Sequence, residues 1–167
     1  MKTKLLSIVL GSVIATSSLY ASGCKVINED VKPIILKELN VVFKLASDKF
    51  VDPKLANAEI SEYANYLKAS NLYSTVEGHT SSDASAAYNK GLSSKRASRV
   101  KSELIKKGVS AKKLVSFGYG ESKPALDNSK DSLNRRIEAA AFHTVSGLKN
   151  YVSDSLAFIR ANGLKEK

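Results

Sequence analysis

Between Glu77 and Ala97 the chain gathers short polar groups, a tight turn and one arginine. Gly78-His79-Thr80 comes first, then Tyr88-Asn89, then Leu92-Ser93-Ser94-Lys95-Arg96-Ala97, with Asn134-Arg135-Arg136-Ile137-Glu138 further on. A guanidinium presents a planar fork of N–H donors that fits a carboxylate with two parallel hydrogen bonds. Hydroxyls and amides beside it suit a small ligand bearing both charges. This is chemistry for gripping and not for cutting. A glycosidase needs two placed carboxylates, and a peptidase needs an activated nucleophile or a metal. The chain shows no Ser/His/Asp constellation, no His-Glu-x-x-His and no cysteine–histidine pair. His79 lacks an acidic or cysteine partner at ligand spacing, so it reads as a packing or surface histidine, and neither metal nor cofactor is expected. Tyr88 reads as a core anchor, and Gly118 and Gly120 as glycines required by a turn.

These groups need a scaffold. Leu39-Asn40-Val41-Val42-Phe43 is a β-branched and aromatic run that predicts a core strand. Asp52-Pro53 opens a helix, with the aspartate as cap and proline at the first position. Ala56, Ile60, Tyr63 and Leu67 give that helix one apolar stripe, and Ser70-Asn71 ends it. Leu72 to His79 alternates as a second strand. The next helix takes Ser93 as N-cap and Gly108 as its C-terminal glycine, and Arg96 then lies three residues after the cap. Leu92, Val100 and Leu104 form its apolar stripe. Leu114 to Phe117 is a third strand ended by Gly118-Tyr119-Gly120. Residues 121–133 form a polar loop containing Pro124, Asp127 and Asn128, and Ile137 to Phe142 is a fourth strand. The order β-α-β-α-β-β predicts an α/β two-layer sandwich, with a mixed sheet and its helices on one face. The α-connected strands are expected to be parallel neighbours or near neighbours, and the last strand antiparallel. Residues 144–167 are helical in period and are expected to pack on the domain or on a partner.

The chain has 167 residues and a formal charge of +10. Met1-Lys2-Thr3-Lys4 is basic, and Leu5 to Tyr20 is apolar and uncharged, which marks residues 1–23 as an export signal. The apolar run is short for a membrane-spanning helix. Without residues 1–23 the balance is 24 basic to 16 acidic side chains, or +8. A basic surface favours anionic polymers or lipid, and export disfavours nucleic acid as the partner. Cys24 is the sole cysteine, so no internal disulfide can form. It follows Ala21-Ser22-Gly23 and resembles the lipidated cysteine of a bacterial lipobox; the alternative is plain secretion after cleavage at Ala21. Residues 24–37 read as a linker.

Taken in order, Gly78-His79-Thr80, Tyr88-Asn89, Leu92-Ser93, Arg96-Ala97, Gly118-Tyr119-Gly120-Glu121-Ser122-Lys123-Pro124 and Asn134-Arg135-Arg136-Ile137-Glu138 resemble the OmpA-like peptidoglycan-binding domain over residues 38–143. The resemblance implies non-covalent binding of a cell-wall stem peptide at diaminopimelate, in the periplasm. With a lipid on Cys24, it implies a tether between outer membrane and peptidoglycan. In the family the arginine of the Leu-Ser-x-x-Arg-Ala motif and an aspartate directly after the Gly-x-Thr threonine grip that amino acid. Arg96 carries over as the carboxylate ligand. Ser81 stands at the aspartate position, and Asp83 either substitutes for it or is a cap or solvated acid. Thr80 either contacts ligand or ends its strand, and Asn89 either contacts ligand or braces the loop. One of Arg135 and Arg136 is expected to border the pocket and the other to pair with an acid. Lys44 stands where the family more often has aspartate. These departures leave open a second function, an envelope protein-interaction adaptor that has lost the ligand.

Overall fold

The computed structural model describes residues 32–125 and 132–162. The export signal, Cys24, and Asp127 and Asn128 of the polar loop lie outside the described residues. In chain order the elements are β1 (Ile35–Leu39), α1 (Pro53–Ala69), β2 (Tyr73–His79), α2 (Ala86–Lys106), β3 (Leu114–Gly120), β4 (Ile137–Phe142) and α3 (Val145–Asn162). The strands form one sheet in the order β1-β4-β2-β3. β2 and β3 are parallel neighbours, while β4 runs antiparallel to both β1 and β2. β1 and β2 are therefore parallel to each other with β4 between them.

α1 forms as its sequence dictates. Asp52 Oδ1 accepts from the amides of Lys54 (2.9 Å) and Leu55 (3.0 Å). Ala56, Ile60, Tyr63 and Leu67 are all buried. α1 and α2 pack on one sheet face, where they meet Val76, Leu114, Ile137, Ala139 and Ala141. α3 covers the opposite face, with Leu148 against Ala140 and Phe142, and Ile159 against Phe117 and Tyr119. The tail helix thus packs on the domain and adds a partial third layer to the two-layer sandwich. No helix among the described residues is long and apolar enough to cross a membrane.

β3 runs on through Gly118 and Tyr119 to Gly120 and does not end at Phe117, because Gly118 and Gly120 continue the parallel pairing with Gly78 and His79. Two further elements depart from expectation. The first strand is Ile35–Leu39, not Leu39–Phe43, so residues 35–37 belong to the sheet and not to a linker. Its register runs from Ile35↔Ala141 to Leu39↔Ile137, where β4 begins, so beyond Leu39 no strand is left to pair with. The apolar run instead folds back on itself. Phe43 bridges Phe50, and the Val51 amide donates to the Val42 carbonyl at 2.8 Å.

The second departure is the start of α2. Its N-cap is Ser85, whose Oγ accepts from the Tyr88 amide at 3.3 Å, and the helix runs through Gly91 and Ser93. A mid-helix glycine costs about 1 kcal/mol relative to alanine. The long contact of α2 with β2 and β3 outweighs that. Its C-terminus is as expected: Gly108 has φ +89, and the Val109 amide returns to the Leu104 carbonyl at 3.1 Å.

Candidate functional site

The position of Arg96 is set one helical turn earlier, at Ser93. Gly78 and Gly118 are paired across β2 and β3. A Cβ on Gly78 would lie 2.1 Å from the Ser93 carbonyl oxygen, and one on Gly118 would lie 2.2 Å from Ser93 Oγ. The two glycines let the backbone of α2 rest directly on the sheet. Ser93 Oγ then donates to the Lys90 carbonyl (3.0 Å) and accepts from the Gly120 amide (2.9 Å). Gly118 is therefore a close-approach glycine and not a turn glycine, whereas Gly120 does adopt φ +62. Ser93 is a weld between helix and strand, not a cap. Arg96 sits in the helix interior, so a carboxylate on it gains nothing from a helix N-terminus.

Arg96 is buried, at 4% exposure. Nε donates to the Ser47 carbonyl (2.9 Å) and Nη2 to the Lys44 carbonyl (3.1 Å), so the guanidinium holds the turn of the 42–51 hairpin. It also lies over the Phe43 ring, 5.1 Å from its centroid. Two of its five N–H donors are used in these bonds, and the rest of the fork makes no hydrogen bond to a described residue. Among the described residues no carboxylate forms an ion pair with it. Burial lowers its affinity for its proton, and the positive charge of Arg135 acts in the same direction. A desolvated cation facing a second cation favours an incoming anion.

Arg96 and Arg135 line one cavity of about 450 Å³, together with Arg136, Phe43, Val42 and Leu133. The Asn134–Glu138 motif divides as expected. Arg135 borders the cavity, while Arg136 is buried and pairs with Glu138, Nε to Oε1 at 2.6 Å. Arg135 Nη1 reaches Ser81 Oγ (3.3 Å) and Asp83 Oδ2 (3.5 Å), and Ser81 Oγ donates to the same Asp83 oxygen at 2.6 Å. Ser81 is buried and Asp83 half exposed.

The remaining candidates fall elsewhere. The Thr80 amide donates to the Gly120 carbonyl at 2.9 Å, and its buried hydroxyl has no partner. Asn89 donates through Nδ2 to the Ala84 carbonyl (3.1 Å) and Glu121 Oε2 (2.6 Å), which are bracing contacts between loops. Tyr88 is no core anchor: it is half exposed and lines a separate hollow of about 290 Å³ with Ser47, Asp48 and Leu92.

A second polar group lies on the other sheet face, under α3. Glu77, His79 and Glu138 each bring one ligand atom within 4.8 Å of the others. This corrects the reading of His79 as lacking an acidic neighbour. Glu77 and His79 are two apart on one strand and share a face, and Glu77 pairs with Glu138 across the ladder. The first relation was legible in the sequence; the second needed the register. His79 stacks on Tyr119 at 5.0 Å. Burial, with Arg136 and Lys123 nearby, pulls its pKa down to about 3, and burial pushes the Glu77 carboxyl up.

An α/β scaffold that presents a buried, anion-seeking arginine at a hollow of mixed polar and apolar lining has the build of a binding module. Residues 46–138 match the OmpA family, and the chain belongs to that family. Outer membrane porin F of Pseudomonas fluorescens is 37% identical over 66% of this chain and 34% of its own length. The peptidoglycan-associated lipoprotein of Buchnera aphidicola is 36% identical over 60% of each chain. The crystal structure of the peptidoglycan-associated lipoprotein from Burkholderia pseudomallei superposes with a TM-score of 0.53 at 27% identity, over 60% of this chain and 87% of that one. The chain spans about a third of the length of the porin F relatives it matches.

Proposed function

We infer that this protein binds peptidoglycan without covalent chemistry, through the diaminopimelate of a stem peptide, and links the outer membrane to the cell wall. The observation that carries the reading is Arg96: a buried guanidinium with donors unused and no carboxylate ion-paired to it among the described residues, and a cavity beside it. The ligand's carboxylate would take the open side of that fork, and Arg135 adds positive charge to the same cavity. Asp83 is the acceptor for the ligand's ammonium. A carboxylate has about four lone-pair sites, so its bonds from Ser81 and Arg135 leave acceptor capacity. Membership of a family with a peptidoglycan-associated lipoprotein among the relatives supports this assignment. The membrane end of the tether rests on lipidation of Cys24, which mass spectrometry of the mature N-terminus tests.

Cosedimentation with purified sacculi tests the wall end. The wild-type chain should pellet with sacculi, and soluble diaminopimelate-containing peptide should release it. Failure to pellet, with no amide shifts around Gly78–Arg96 on titration with that peptide, would favour the adaptor reading. The engagement of Asp83 by Ser81 and Arg135 is the feature that speaks for that alternative.

A further inference from the structure

The group under α3 is built more like a coordination site than like a packed core. Each carboxylate has one oxygen fixed by a donor and the other turned inward. Thr75 Oγ1 donates to Glu77 Oε1 at 2.6 Å, and Arg136 Nε donates to Glu138 Oε1 at 2.6 Å. Glu138 Oε2 has no hydrogen bond and lies 3.6 Å from His79 Nε2. Among the described residues neither His79 nitrogen has a partner of strict hydrogen-bonding geometry, although the ring is 1% exposed and the Lys123 backbone lies close enough to act on it. Glu77 Oε2 receives only the Tyr151 hydroxyl, at 3.3 Å. Buried polar atoms are almost always satisfied, so two orphans facing each other, His79 Nε2 and Glu138 Oε2, with Glu77 Oε2 close by, ask for a missing partner.

We propose that Glu77, His79 and Glu138 bind a divalent transition metal of the zinc class, one atom from each. An imidazole and two carboxylates are a donor set zinc accepts, with a fourth position left open on the Tyr151 side. Zinc–ligand distances of about 2.0–2.2 Å in a tetrahedron place donor atoms about 3.4 Å apart. The His79–Glu138 separation already meets this, and a side-chain adjustment of Glu77 closes the wider gap. Thr75 and Arg136 supply the outer hydrogen bonds that orient ligating carboxylates. Two cations face the site. Arg136 holds the outer oxygen of Glu138, whereas Lys123 Nζ sits 3.8 Å from the inner one and competes directly with a metal. Lys123 is partly exposed and lines, with Tyr119, Tyr151, Asp154, Ser155 and Phe158, a hollow of about 460 Å³ beside the site, which supplies an entry path. A bound ion would clamp β2 to β4, and through Arg136 it touches the wall of the Arg96 cavity.

The test uses the full chain carrying Cys24→Ser, so that the thiol does not compete, stripped with chelator and titrated with zinc sulfate by calorimetry. One zinc per chain is expected, with a raised Tm, and cobalt substitution should give the d–d absorption of a low-coordinate nitrogen–oxygen site. Glu138→Gln should weaken zinc at least tenfold, His143→Ala, at an exposed histidine directly after β4, should leave it unchanged, and Lys123→Ala should tighten it several-fold. Lys123 is at the surface, so that variant reports even if Glu138→Gln fails to fold. Absence of stoichiometric zinc in both the Cys24→Ser and Lys123→Ala chains would overturn the site. So would unchanged affinity in folded Glu138→Gln, or affinity in Lys123→Ala that is unchanged or weaker.

Discussion

Replacing Arg96 separates the fork from the charge. In Arg96→Gln the ligand's carboxylate loses a bidentate, charge-assisted pair worth about 3 kcal/mol, which is roughly 150-fold in Kd. In Arg96→Lys the charge and one hydrogen bond remain, so the loss halves to about 1.5 kcal/mol, roughly tenfold. Both variants also release the Ser47 and Lys44 carbonyls, which loosens the 42–51 hairpin. Glutamine at the same time removes a buried cation that no described carboxylate contacts as an ion pair, Asp48 acting on it only from a distance. The two effects oppose each other, and the net change in unfolding free energy should stay within about 2 kcal/mol. The assay is calorimetric titration of a soluble diaminopimelate-bearing stem peptide into wild type, Arg96→Lys and Arg96→Gln, with circular dichroism as the fold check. The expected order of affinity is wild type, then lysine, then glutamine. A folded Arg96→Gln chain that binds within twofold of wild type would refute the reasoning.

Asp83→Asn should weaken the same peptide about tenfold with little change in Tm, because the side chain is half exposed and joins no core contact. Gly78→Ala forces a methyl onto the Ser93 carbonyl and should destabilise the fold by about 3 kcal/mol or more, read as a fall in the urea midpoint. Ile159→Ala should cost about 2–4 kcal/mol if α3 belongs to the cooperative unit; an unchanged urea midpoint would show that it does not. Tyr63 is buried against Ser74, and burial raises its hydroxyl pKa to about 12. Its contribution is therefore intact below pH 10, where the unfolded tyrosine is still protonated, and falls between pH 10 and 12 by a few kcal/mol at most. Tyr63→Phe should reduce that alkaline slope in pH-dependent urea melts, with the raised hydroxyls of Tyr119 and Tyr151 supplying the remainder.

The parts of the fold that periodicity controls were legible. The stripe Ala56-Ile60-Tyr63-Leu67 has one reading, and Asp52-Pro53 and Gly108 have one use each. The start of α2 was not legible, because Ser85 and Ser93 are both acceptable caps. The choice between them is made by Gly78 and Gly118 on other elements, which accept a helix interior and not a helix end. The apolar run from Leu39 to Phe43 misled for a related reason. Local composition gives strand propensity, but only the start of β4 says where pairing stops. At the candidate site, Arg96 and a division of roles between Arg135 and Arg136 could be seen in the chain, but not which of the two pairs with the acid. The carbonyl cradle from Lys44 and Ser47 could not, since backbone acceptors have no sequence signature. The Glu77–His79 spacing was present in the sequence, but Glu138 joins it only through strand register.

β4 is made last of the four described strands yet occupies an interior place in the sheet, and among the described residues β1 pairs with no other strand. The amino-terminal strand must therefore wait, unpaired, until residues 137–142 arrive. Loop closure on that scale precedes any reward, which makes for slow, all-or-none assembly. The Arg96 hollow draws its walls from residues 38–43 and from 132–136, the segments flanking that late seam. A nascent or truncated chain has no half-formed pocket, and competence to hold a ligand arrives in the same step as the finished sheet.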